Sequence, residues 1–259
     1  MKIKDRLCFS TLICPDYSLN EIKETCLRFG LRGAELRLTG DFEGKVPDGL
    51  KITDIASSIR LTGYNGEQLE SVKRTLMSAE KGGIGAVRFF LGNFRQRYSD
   101  PVKDIDYNGI VSALKELCDS TKCEIWIETH NEFATGRALK KLMEDVSKEN
   151  IKIIWDVMHP FEDGETPEET FSYIKDYTAH VHIKDGKNGN DPSWHDFEYT
   201  PLGKGEVPIR EITELLEGGG YGGCYSLEWE NMWRPELKGL GLGVDEILTH
   251  FVGFMRDLE

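Results

Sequence analysis

The chain has 259 residues, 39% hydrophobic and 30% charged with 27 glycines, a make-up that supplies a globular core and many turns and argues against disorder. A net charge of −13 disfavours a nucleic-acid partner, which needs Lys and Arg gathered on one face to displace counterions from phosphates. No run approaches the ~20 uninterrupted apolar residues of a membrane span, and Met1-Lys-Ile-Lys-Asp-Arg6 leads into a short apolar patch rather than a signal sequence. The expectation is a cytoplasmic protein with neither nucleic acid nor membrane as partner; a homo-oligomer is compatible with it. Cys8, Cys14, Cys26, Cys118, Cys123 and Cys224 form no CxxC pair and are expected to be reduced and mostly buried.

Short apolar or alternating runs recur along the chain, each followed by a helix-like stretch, the pattern that builds a parallel sheet. The first strand is predicted at Leu7–Ser10, and the helix after it opens on a capping box, Ser18-Leu-Asn-Glu21, and stops near Gly30 and Gly33. Strands follow at Ala34–Leu38, Ile52–Ala56 and Ala86–Leu91, the last preceded by the helix-stopping pair Gly82-Gly83. The fifth and sixth lie at Glu124–Glu128 and Ile151–Asp156, and Thr166-Pro-Glu-Glu169 then combines an N-cap with proline in the first helical turn. The seventh is His180–Lys184, and after Gly218 to Gly220 the eighth is Tyr225–Trp229. Strict β-then-α order with eight strands predicts a (β/α)8 TIM barrel, and the lack of any Pro- or Ser-rich linker predicts one domain over residues 1–259. A doubly wound nucleotide-binding sheet needs a glycine-rich turn after its first strand, and Ser10-Thr-Leu-Ile-Cys-Pro15 is not one. The one long irregular stretch, Gly186 to Glu206, is placed by this topology above the active face and is expected to act as a lid.

In such a barrel the chemistry sits at the C-terminal strand ends, and side chains alternate between the interior and the helix layer. One parity holds Trp126 and Glu128, Ile154 and Asp156, His180, His182 and Lys184, then Cys224, Ser226, Glu228 and Glu230. The other holds Ile125, Ile127, Ile153, Trp155, Val181, Ile183, Tyr225, Leu227 and Trp229, an apolar set suited to face helices. Glu128, Asp156, His182 and Glu228 therefore converge at the barrel mouth. Any one of them alone is more often an ordinary strand-end polar residue; four at matched depth point to a metal centre. This oxygen-rich set suits one divalent ion, Mn²⁺, Mg²⁺ or Co²⁺, with Zn²⁺ less favoured. Arg37, inward by parity on the second strand, and Trp233, just past the eighth, are weaker candidates that barrel packing and a surface aromatic explain nearly as well.

The pieces Ile127-Glu-Thr-His130, Trp155-Asp-Val-Met-His159, His180-Val-His-Ile-Lys-Asp185, Leu202-Gly-Lys-Gly-Glu-Val-Pro208 and Ser226-Leu-Glu-Trp-Glu230 give the sequence its resemblance to the xylose-isomerase-like TIM barrels, the sugar-phosphate isomerases and epimerases. The resemblance covers almost the whole chain and implies that Glu128, Asp156, His182 and Glu228 bind the metal. It implies a substrate contact for His159, three residues past the metal aspartate, and for Lys184, the lysine of an HxKD motif. His130 and Glu230, two residues beyond metal ligands, are candidates to line the pocket.

The implied activity is a metal-dependent isomerase or epimerase acting on a keto sugar or sugar phosphate. The ion acidifies the C–H beside a chelated carbonyl, and Glu128 and Glu228, on opposite faces of the resulting enediolate, exchange the proton. Ketose 3-epimerases carry a further glutamate one loop turn after the fifth-strand ligand; here that region reads Asn131-Glu-Phe-Ala134. The alternative is a lyase of the 3-dehydroshikimate or inosose dehydratase type, with Lys184, His159 or Arg37 serving a carboxylated substrate. An endonuclease IV-like reading fails because no histidine precedes His130 and Phe197-Glu-Tyr199 stands where Asp-x-His is required. A binding protein without catalysis is disfavoured by the complete ligand set.

Overall fold

The computed structural model describes residues 2–38, 40–92, 105–189 and 197–259. Eight parallel strands close into a barrel: β1 (Leu7–Ser10), β2 (Gly33–Leu38), β3 (Ile52–Leu61), β4 (Ala86–Leu91), β5 (Glu124–Glu128), β6 (Ile151–Asp156), β7 (Thr178–Ile183) and β10 (Cys224–Leu227), which pairs with β1. Two short strands, β8 (Asp185–Lys187) and β9 (Glu198–Thr200), form an antiparallel ribbon after β7. The helices around the barrel are α1 (Leu19–Phe29), α2 (Gly66–Gly82), α3 (Tyr107–Ser120), α4 (Gly136–Val146), α5 (Met158–Glu162), α6 (Pro167–Ile174), α7 (Ile209–Gly218), α8 (Pro235–Lys238) and α9 (Val244–Arg256). β1, β4, β5 and β6 fall on their predicted bounds, whereas β3 runs on from Ala56 to Leu61.

Local chemistry explains the helix ends. The Ser18 hydroxyl accepts from Glu21 N–H while the Glu21 carboxylate accepts from Ser18 N–H, and Thr166 and Glu169 repeat the exchange ahead of Pro167. Gly30 and Gly83 end α1 and α2 in the left-handed conformation, at φ 67 and φ 74.

The expected strict alternation fails at one place. Among the described residues no helix joins β2 to β3; Gly40 to Lys51 is irregular, so Gly186 to Glu206 is not the only long irregular connection. Gly40, Gly44, Pro47 and Gly49 crowd too many helix breakers into a dozen residues, and Gly44 and Gly49 both take positive φ. The buried Phe42 ring covers the gap by packing on Gly82, where a Cβ would sit 2.5 Å from the ring.

The parity reading holds on β5, β6, β7 and β10. Ile125, Ile127, Ile153, Trp155, Val181, Ile183, Tyr225 and Leu227 belong to the large core shared with the helices. Inside the barrel Ala86, Trp126 and Ile154, with Ala179 packed against them, make a small apolar plug. The interior also holds many polar groups: Glu35, Asp54, Arg88, Glu128, Asp156, His180 and His182 are all buried. All six cysteines are buried free thiols.

The segment after β7 is anchored from within. The Asp185 carboxylate accepts N–H bonds from Gly186, Gly203, Gly205 and Val207 at 2.8–3.3 Å, which ties the Leu202-to-Val207 loop to the end of β7. The two ends of the expected lid are thus a paired ribbon, and its middle, residues 190–196, lies outside the described residues.

Candidate functional site

Glu128, Asp156, His182 and Glu228 each offer a donor atom within 4.8 Å of the others, and all four are buried. Glu128 and Asp156 end β5 and β6; β7 and β10 stop one residue short of Lys184 and Glu228. The imidazole of His182 is oriented from both sides. Its Nε2 lies 2.6 Å from Glu35 Oε2, while Nδ1 faces Glu128 Oε1 at 3.3 Å and Glu228 Oε2 at 3.6 Å. Asp156 Oδ1 accepts the Met158 N–H, and its buried Oδ2 is ion-paired with Lys184 Nζ at 2.6 Å. Three carboxylates and an imidazole nitrogen turned toward them, all buried and within 4.8 Å, make a donor set that fits a divalent cation. Glu35, His180 and His182 form a second close group, but the 2.6 Å contact between His182 Nε2 and Glu35 leaves no room for an ion between them. Glu35 instead supports the histidine, the role of an outer carboxylate in a metal centre.

Burial pushes every carboxyl here toward protonation, and neighbouring charge decides which ones yield. Glu128 is buried, yet the Arg88 guanidinium, 2.8 Å from its Oε2, and His182 hold it well below the usual carboxylate range. Burial is likewise outweighed at Glu35 by His182 and at Glu230 by Lys184, leaving each at about 2. Burial wins at Asp156, pushed up to about 7 despite Lys184, and it raises Glu228. His182 is raised well above its ordinary value because Glu35, Glu228 and Glu128 outweigh burial, while burial lowers His130 to about 4. Glu128 and Glu228 are therefore shifted in opposite directions.

A cavity of about 310 Å³ opens on this cluster, lined by Leu12, Arg37, Arg88, Phe90, Glu128, His130, Glu228, Glu230 and Trp233. Of the residues singled out in the sequence, Arg37, His130, Glu230 and Trp233 share this wall with Glu128 and Glu228. Lys184 and His159 lie outside that lining among the described residues. Lys184 Nζ bridges Glu228 and Glu230 at 2.7 Å each, and His159 Nε2 lies 3.4 Å from Lys184 Nζ, with Nδ1 2.9 Å from Glu162. Glu132, in the region where 3-epimerases carry their extra acid, packs against Gly92 and is not in the cavity wall. The sequence reading missed Glu35, Arg88 and Asp54 inside the barrel, Glu162 behind His159, and Tyr199, whose hydroxyl β9 places 3.2 Å from Glu230.

A closed parallel barrel with acids and a histidine gathered at its C-terminal mouth defines an enzyme-like TIM barrel. The model of the xylose isomerase-like TIM barrel family matches residues 20–248, and the chain belongs to that family. No curated protein sequence matches it. Among solved structures it is similar to the IOLI protein carrying a bound zinc atom, with TM-score 0.75, 16% identity and coverage of 98% of this chain and 97% of that one. It is also similar to D-allulose 3-epimerase from Methylomonas sp., with TM-score 0.72, 16% identity and all of both chains covered. A third is the probable 3-DHS dehydratase AsbF of petrobactin synthesis from Bacillus anthracis, with TM-score 0.66, 18% identity and coverage of 92% and 99%.

Proposed function

We propose that this protein is a divalent-metal-dependent isomerase or epimerase of a keto sugar or sugar phosphate, in which Glu128 and Glu228 exchange a proton with the substrate carbon beside the carbonyl. The observation that carries this reading is the convergence of four buried donors within 4.8 Å, two of them glutamates lining one cavity. What an ion held by Glu128, Asp156, His182 and Glu228 supplies is Lewis acidity, which makes a neighbouring C–H removable at neutral pH. Glu128, kept ionised by Arg88, is suited to take the proton; Glu228, raised by burial, is suited to return one. Lys184 steadies Glu228 and Glu230, and His182 is fixed by Glu35. The likeness to D-allulose 3-epimerase and to zinc-bound IOLI supports the reading at the level of fold.

A lyase is the second reading. The His159–Glu162 pair supplies the additional acid that loss of hydroxide requires, and the likeness to the probable 3-DHS dehydratase runs the same way.

The test is turnover of keto sugars and cyclic keto acids in D₂O by the Mn²⁺-loaded protein. Deuterium beside the carbonyl, with turnover depressed ~10²-fold or more in Glu228→Gln at matched metal content, supports proton exchange. Retained exchange in fully metallated Glu228→Gln removes that residue from proton transfer and leaves it a ligand only. A product lacking water selects the lyase, and no exchange or turnover on either class of substrate selects a binding protein.

A further inference from the structure

The cations at this site differ in what neutralises them. Arg88 is paired with Glu128 at 2.8 Å, Lys184 lies within 2.7 Å of Asp156, Glu228 and Glu230, and Arg234 is 3.7 Å from Glu230. Arg37 is not matched in this way. Its Nη1 donates to the Ala56 carbonyl at 2.8 Å and its Nη2 to Ser58 Oγ at 2.6 Å, both neutral acceptors. Among the described residues no carboxylate forms an ion pair with it. Those two bonds fix the guanidinium plane from the β3 side, and Trp233, 5.8 Å from its central carbon, flanks it across the cavity. Burial and repulsion from Arg88 lower its pKa, outweighing the more distant pull of Glu228, Glu35 and Glu128.

We propose that Arg37, steadied by Ser58 and flanked by Trp233, is an anion subsite, so that the substrate carries a carboxylate or phosphate on the part held away from the reacting carbon. This rests on the reading of the site given under Proposed function. The hydroxyls of a neutral sugar are satisfied by neutral donors and need no partly buried, unpaired guanidinium. A planar guanidinium whose remaining N–H groups meet no acceptor among the described residues presents the two-pronged donor that carboxylates and phosphates select. The cavity, about 310 Å³, has room for a small sugar acid or sugar phosphate reaching from Glu128 to Arg37.

The test is calorimetric titration of the Mn²⁺-loaded protein with dihydroxyacetone, hydroxypyruvate and dihydroxyacetone phosphate. All three carry the same hydroxyketone unit and differ in the group beyond it. At least one anionic probe is expected to bind tenfold or more tightly than dihydroxyacetone, and which of the two is preferred tells carboxylate from phosphate. Arg37→Gln should bring that ratio close to one and Arg37→Lys should keep part of it, with melting curves showing both variants folded. Equal affinities in the wild type, an unchanged ratio in Arg37→Gln, or failure of both anionic probes to bind at millimolar concentration overturns the proposal. Mn²⁺ affinity measured on the same proteins separates the two readings. Metal binding without an anion preference sinks the subsite alone; an Arg37-dependent preference in a protein that binds no Mn²⁺ sinks the metal site alone.

Discussion

Glu35 decides which nitrogen His182 presents. With Nε2–H donated to that carboxylate at 2.6 Å, the lone pair of the neutral ring sits on Nδ1, the atom facing Glu128 and Glu228. Replacing Glu35 by Gln frees the ring to rotate or change tautomer, and Mn²⁺ affinity should fall about 10- to 100-fold. Titration followed by Mn²⁺ paramagnetic resonance reads this directly, and an unchanged affinity would show that packing alone holds His182. A pH dependence belongs to the same atoms. Asp156 is raised to about 7 and His182 well above its ordinary value, so in the metal-free protein both keep their protons to higher pH than free side chains do. An incoming cation must displace those protons, so affinity should drop at least about tenfold per pH unit below 7 and level off above the higher of the two values. A flat profile across 7 would mean that the site binds metal without these two ligands. Parity in the sequence was enough to pick out Glu128, Asp156, His182 and Glu228, and it held the same information for Glu35 and Arg88, which alternate with Ala34, Leu36, Val87 and Phe89. Asp54 was not legible, because the register between β2 and β3 shifts at that point and strict alternation breaks.

At the level of elements, the segment after β7 depends on one carboxylate. Asp185→Ala removes the acceptor for the amides of Gly203, Gly205 and Val207. Losing this cluster should cost about 3 kcal/mol, on the scale of hydrogen bonds to charged groups. Amide exchange at those three positions should accelerate, together with a lower denaturation midpoint. Protection equal to the wild type at all three would show that the ribbon, not Asp185, holds the loop. The ribbon itself escaped the sequence reading because its strands have three residues each, too few for a period of two to register. The absent helix between β2 and β3 was legible in Gly40, Gly44, Pro47 and Gly49, but the regularity of the rest of the chain concealed it.

In the molecule as a whole, cohesion and chemistry occupy different layers. The strand faces toward the helices are apolar and continuous with α1 to α9, whereas the lumen holds ionisable groups above a plug of Ala86, Trp126 and Ile154. No helix among the described residues is long and apolar enough to cross a membrane. Beside β2 and β3 the outer layer has no helix from the Gly40-to-Lys51 connection, which covers the barrel with the side chains of Phe42, Leu50 and Val46. Chain inserted on the solvent side of the Phe42 ring meets no helix–helix packing that it must preserve. A short helical graft between Gly44 and Pro47 should therefore leave the melting temperature close to the wild-type value, while the same graft inside α4, which packs against α6, should lower it clearly. Equal losses at both places would show that Phe42 and its neighbours hold this side as firmly as a helix would. If the graft is tolerated, this gap is where a lineage of such barrels can acquire a new module, a cap or a dimerisation arm, while the ring of strands that sets the metal donors keeps its shape.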